Sequence, residues 1–135
     1  MAAVVAGSVA LPAIGHRKVS GPAVVNVIAG KPTEYAFTLS KSSPLPTSVL
    51  FKVTNRGALA HSFKTCTASI ESAAVNSCSG KATKSIAPGA SASLTVSFRQ
   101  TGVYEYLSSL PGDAAKGMKG LIGIGVKLRR GLLAK

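Results

Sequence analysis

The chain has no tryptophan, only two histidines, and just four Asp and Glu side chains against sixteen Lys and Arg. So few acids leave little material for paired-carboxylate acid–base work, and no Gly-x-Ser-x-Gly elbow presents a nucleophile. No enzymatic activity is expected. Aromatic residues make up only 5%, no recognition-helix pattern occurs, and the basic residues are spread along the whole chain. Those shortages argue against nucleic-acid binding. No apolar run is long enough to span a bilayer: the stretch Met1 to Ile14 is apolar, but a spanning helix needs about 20 such residues. No internal repeat or low-complexity tract is found.

At 135 residues with 46% hydrophobic side chains, the chain is one domain able to bury a core. Its net charge of +12 favours an acidic protein or an anionic envelope surface as partner. A monomer is expected. Cys66 and Cys78 bracket a Ser-, Ala- and Asn-rich loop. An even count at close spacing fits a disulfide made in an oxidising compartment, and two free thiols are the rival reading. Closing such a loop would contribute about 2–3 kcal/mol, mostly by restricting the unfolded chain.

Residues 1–20 read as an apolar leader and flexible lead, 21–127 as the folded domain and 128–135 as a basic tail. The leader resembles the core of a signal peptide without its basic n-region. Either the true start lies upstream of Met1 or the segment is an apolar tail. The leucine-rich basic tail could rest on an anionic surface, or it is a frayed terminus.

Between these ends the hydrophobic pattern has period two. Val25 and Val27, then Tyr35, Phe37 and Leu39, mark two strands around the turn Gly30-Lys31-Pro32. A proline-punctuated loop covers Ser42 to Pro46. Val49, Phe51 and Val53 alternate with Leu50, Lys52 and Thr54, and Asn55-Arg56-Gly57 is a turn. His61, Phe63 and Thr65 alternate on the next strand, which also carries Cys66. Leu94, Val96 and Phe98 follow, then Tyr104 and Tyr106, and finally Leu121, Ile122, Ile124 and Val126. Seven or eight short strands with regular turn signals predict an antiparallel β-sandwich or barrel, each sheet with one buried and one wet face. Tyr104 is expected in the core, its hydroxyl tying down a loop as in tyrosine corners.

Three separated segments carry more specific information. They are the run from Val49 through Asn55-Arg56-Gly57 to His61-Ser62-Phe63, the run Ile86-Ala87-Pro88-Gly89 leading to Phe98, and the loop from Gly102 to Gly120. That loop reads Gly-Val-Tyr-Glu-Tyr-Leu-Ser-Ser-Leu-Pro-Gly-Asp-Ala-Ala-Lys-Gly-Met-Lys-Gly. In this order, from about Val24 to Val126, they resemble the cupredoxins, the plastocyanin and pseudoazurin type of exported blue-copper protein. The resemblance implies a Greek-key sandwich, an extracytoplasmic location, and copper near one end. It places the metal ligands at His61, Ser108, Asp113 and Met118, where the family pattern has His, Cys, His and Met.

Only His61 and Met118 keep the ligand type. A type 1 centre needs a His₂Cys set with a weak axial thioether. Ser108 offers a hard, neutral hydroxyl, and Asp113 a carboxylate that suits harder ions. Neither cysteine replaces the lost thiolate. Cys66 lies five residues past His61 on the same predicted strand, which turns it to the opposite face about 17 Å away. His16 belongs to the flexible lead.

Each position also has a plainer role. His61 could be a hydrogen-bonded rim histidine, Met118 a packing residue, Asp113 a turn cap or a partner of Lys116, and Ser108 a local hydrogen-bonder. The expected function is thus a secreted cupredoxin-like binding or structural module with a degenerate copper site. The alternatives are a non-blue copper or electron-transfer protein using His61, Asp113 and Met118, and charge-driven adhesion to anionic envelope material.

Overall fold

The computed structural model describes residues 22–44, 47–70 and 76–128. The leader with His16, the prolyl tip at residues 45 and 46, and all of the basic tail but Leu128 lie outside the described residues. Eight strands follow one another: β1 (Ala23–Ala29), β2 (Phe37–Leu39), β3 (Ser48–Asn55), β4 (Lys64–Cys66), β5 (Gly80–Ala82), β6 (Ser91–Ser97), β7 (Gly102–Leu107) and β8 (Lys119–Ile124). They form two four-stranded sheets, ordered β2-β1-β3-β6 and β5-β4-β7-β8. β1 and β3 run parallel; the other pairings are antiparallel. The chain crosses between sheets after β3, β5 and β6, giving a Greek-key β-sandwich. No helix among the described residues is long and apolar enough to cross a membrane.

Alternation explains the first sheet well. Val25, Val27, Val49, Phe51 and Val53 point inward and are at most 1% exposed, while Asn26, Lys52 and Ser93 point to solvent. Their β-branched side chains suit a pleated, half-buried surface. The inward faces meet around Phe63, whose ring lies 4.9 Å from Phe51, 5.3 Å from Phe37 and 5.6 Å from Tyr106. Such ring pairs contribute about 0.5–1.5 kcal/mol each beyond their buried area. Tyr104 is buried, and its hydroxyl donates to the Gln100 carbonyl at 2.7 Å, the expected corner.

The second sheet departs from the one-wet-face expectation. Its outward residues Cys66, Glu105, Leu107 and Leu121 are buried as well. Cys78 and Ala114 pack with Cys66 and Leu107 on that outer side. The cover is pinned by the Cys66–Cys78 disulfide, Cα atoms 5.6 Å apart. Backbone bonds from Thr67 N to Ser79 O and from Ile70 N to Val103 O add to it. Cys78 and Ala114, packed on the sheet from two connections, thus create a second, smaller core that period-two reasoning does not foresee.

One strand boundary also differs. His61 stands outside β4, in an isolated bridge to Ile86, so His61 and Cys66 do not share one strand. Cys66 still faces away from the main core.

Candidate functional site

The site lies at one end of the sandwich, where three connections converge: β1–β2, β3–β4 and β7–β8. Asn55 organises the second of these. It is fully buried, and its amide nitrogen donates to the carbonyls of Leu59 and Ile86, each at 2.8 Å. Its side-chain oxygen accepts from Gly57 N at 2.8 Å, a turn closed by the side chain. His61 then exchanges two backbone bonds with Ile86, at 3.1 and 2.7 Å. The five loop residues between Asn55 and His61 are thereby held at both ends before the imidazole is reached.

The β7–β8 connection is closed by its own backbone. Ser108 N donates to Met118 O, Asp113 N to Leu110 O, and Met118 N to Asp113 O. Gly112, at φ 83°, makes the turn that points Asp113 inward, a conformation costly for residues with a Cβ. A single 3-10 turn, Ala114–Lys116, follows.

These frames bring His61, Ser108 and Asp113 together in the protein interior. Their exposures are 0%, 1% and 8%. Asp113 Oδ2 lies 2.9 Å from His61 Nδ1 and accepts from the Ser108 hydroxyl at 2.7 Å. Ser108 Oγ in turn accepts from Ser62 N at 3.2 Å, and Ser62 and Ser109 join hydroxyls at 2.7 Å. Met118 is fully buried and belongs to the main core. Its backbone takes part in the loop closure described above. Asp113 pairs with His61; Lys116 instead sets its ammonium 4.9 Å above the Tyr35 ring.

Glu34, from the β1–β2 connection, completes the cluster, and the sequence reading missed it. Its Oε2 lies 2.6 Å from His61 Nε2, while the carboxylate also accepts from Ala58 N at 2.8 Å and Leu59 N at 3.0 Å. A Cβ on Gly57 would collide with this carboxylate, so the glycine in Asn55-Arg56-Gly57 makes the approach possible. An acid 27 residues before His61, and much further from Ser108 and Asp113, has no local signal. The one usable clue was the scarcity of acids in so basic a chain.

Both imidazole nitrogens therefore face carboxylate oxygens. An imidazolium donates to both at once; a neutral ring can donate to only one. The hydrogen bond from Ala58 N, then that with His61, hold the Glu34 carboxyl below the ordinary value of 4.5. A carboxyl lowered on folding adds stability above its unfolded pKa, and that stability is lost as pH falls through the folded value. Unfolding midpoints measured between about pH 6 and pH 3 should fall with acidification, and Glu34→Gln should flatten that slope. An identical slope in the variant would remove Glu34 from the account.

The connectivity matters chemically. Serine, aspartate and histidine are all present, but the serine hydroxyl donates to the carboxylate and does not meet the imidazole. A nucleophile–base pair needs the opposite arrangement. For a metal, three donors must converge on one point. Here Asp113 Oδ2 already sits where Ser108 Oγ and His61 Nδ1 point, and the second ring nitrogen is taken by Glu34. No group of three His, Cys, Asp or Glu side chains among the described residues is arranged to hold a metal ion.

No family model matches the chain, and no curated protein matches it in sequence. Solved structures do. Auracyanin B aligns over 79% of this chain and 92% of its own, at 21% identity and a TM-score of 0.62. Auracyanin A, a "blue" copper protein from the green thermophilic photosynthetic bacterium Chloroflexus aurantiacus, aligns over 77% and 99%, at 17% and 0.55. Rusticyanin from Thiobacillus ferrooxidans aligns over 79% and 84%, at 22% and 0.54. With its two-sheet topology and its three converging loops, the chain has the cupredoxin fold.

Proposed function

We propose that this protein is an extracytoplasmic cupredoxin-fold module whose type 1 centre has been replaced by a buried hydrogen-bonded cluster. It acts in binding or in building structure and is not a blue-copper electron carrier. One observation carries this reading: Asp113 Oδ2 bridges His61 Nδ1 and Ser108 Oγ, so the groups at the ligand positions satisfy one another. Copper is plausible from the fold, since auracyanin A is a copper protein. The side chains at the four positions do not fit a type 1 ion, which needs a thiolate and two imidazoles. The disulfide supports an oxidising location.

The test is addition of Cu(II) to the purified protein. No intense charge-transfer band near about 600 nm is expected, because that band requires a copper–thiolate bond. Its appearance would sink the proposal.

A second reading keeps copper in a non-blue site at His61, Asp113 and Met118. It is supported by the adjacency of Nδ1 and Oδ2, 2.9 Å apart, where an ion could replace the shared proton. Calorimetry separates the two: tight Cu(II) binding lost in His61→Ala favours the second, and weak binding indifferent to that change favours the first.

A further inference from the structure

The outward face of the β2-β1-β3-β6 sheet carries an open groove of about 430 Å³, well removed in character from the buried cluster. Lys52, on the central strand β3, stands between Asn26 of β1 and Ser93 of β6 in register. Two residues on, Thr54 shares a 3.1 Å hydroxyl contact with Ser91, and Arg56 closes the row. Asn26, Lys52, Arg56, Ser91 and Ser93 are all exposed. The groove therefore offers an ammonium, a guanidinium, an amide and three hydroxyls, all able to donate to an anion.

The rest of the molecule sharpens this. Three of the four acidic residues are described, and each is committed elsewhere. Asp113 and Glu105 are buried, and Glu34 is tied to His61 and to two backbone amides. None of these three lines the groove, so no carboxylate among the described residues neutralises its positive charge. No aromatic ring among the described residues lines it either, which removes the stacking platform that bases and single-stranded nucleic acid use. The exposed large hydrophobics, Val24, Leu59 and Val126, are not part of it, so it offers nothing to insert into lipid.

We propose that this sheet face binds a linear, base-free polyanion of closely spaced phosphates. A single small anion on exposed Lys and Arg would be screened by salt and gain little. Lys52 and Arg56 are spread over about 13 Å of backbone, a span that fits successive charges of a chain. Several weak contacts along one polymer add up, and the bound chain releases its condensed counterions. The guanidinium fork suits phosphate oxygens. The proposal stands whether or not the His61 cluster takes copper.

The experiment uses the full chain and long-chain inorganic polyphosphate, with affinity followed from low to physiological salt. Lys52→Glu with Arg56→Glu should weaken binding by about tenfold or more and flatten the salt dependence. Lys31→Glu with Lys127→Glu, an equal change in charge away from the groove, should cost less than about threefold. Equal losses in both pairs would show that only net charge matters and would overturn the proposal. So would equal or tighter binding of oligothymidylate or of anionic lipid vesicles. Both altered residues are exposed, and thermal melts check folding. If the Glu pair is unfolded, Lys52→Gln with Arg56→Gln is read against the same control.

Discussion

Asp113→Ala should lower the melting temperature by about 10 °C, the equivalent of roughly 3 kcal/mol for a domain of this size. The substitution removes the acceptor shared by His61 Nδ1 and the Ser108 hydroxyl, both of which are buried. Breaking a buried pair by deleting one partner costs about 3–5 kcal/mol, because the remaining charge or donor stays desolvated. Against a total stability of about 5–15 kcal/mol, that is a large share. Ser108→Ala gives the internal comparison. It takes one neutral donor from a carboxylate that keeps its histidine and removes the acceptor of the buried Ser62 N–H, so a loss of about 1–2 kcal/mol is expected. Asp113→Asn retains an oxygen at the same place and should fall between the two. Thermal or denaturant unfolding of the three variants checks the order. If Asp113→Ala melts with the unaltered protein, the cluster is not what holds the loops together.

Ser108→Cys combined with Asp113→His should turn the protein blue in Cu(II), with an intense band near about 600 nm. The pair supplies a thiolate and a second imidazole, which with His61 and Met118 make up the donor types of a type 1 centre. The frame should accept the change because backbone bonds set it: Ser108 N to Met118 O, Asp113 N to Leu110 O and Met118 N to Asp113 O. None of these depends on the side chains exchanged. The spacing of ligand positions, 108, 113 and 118, is also untouched. Neither single change supplies the whole set, so each alone should give a weaker or absent band. A folded double variant that stays colourless in copper would mean that the loop does not hold these donors in type 1 geometry.

The two experiments bear on different halves of one idea. The first measures what the present cluster contributes to stability. The second asks whether the loop frame can hold a type 1 donor set. A stabilising cluster on a recoverable frame is the expected combination.

Much of this was legible in one dimension. Alternation along Val49, Phe51 and Val53, or Leu94, Val96 and Phe98, reports a local geometric rule: successive side chains on a strand point to opposite faces. Most strand positions and the main core follow from it, though not the start of β4 beyond His61. The positions His61, Ser108, Asp113 and Met118 came from the resemblance of the surrounding segments to the cupredoxin pattern, not from any local rule. The even cysteine count pointed to the Cys66–Cys78 bridge for a local reason.

Tertiary structure decided the rest. Which groups meet across the rim depends on loops packing over distances that no periodicity encodes. Glu34 reaches His61 only because Gly57 leaves room for its carboxylate. Leu107 lies buried on the outer side of the second sheet because Cys66, Cys78 and Ala114, drawn from separate parts of the chain, pack over it. The sequence named the chemical groups and the fold that carries them; packing chose their partners, since a polar group taken out of water must find one.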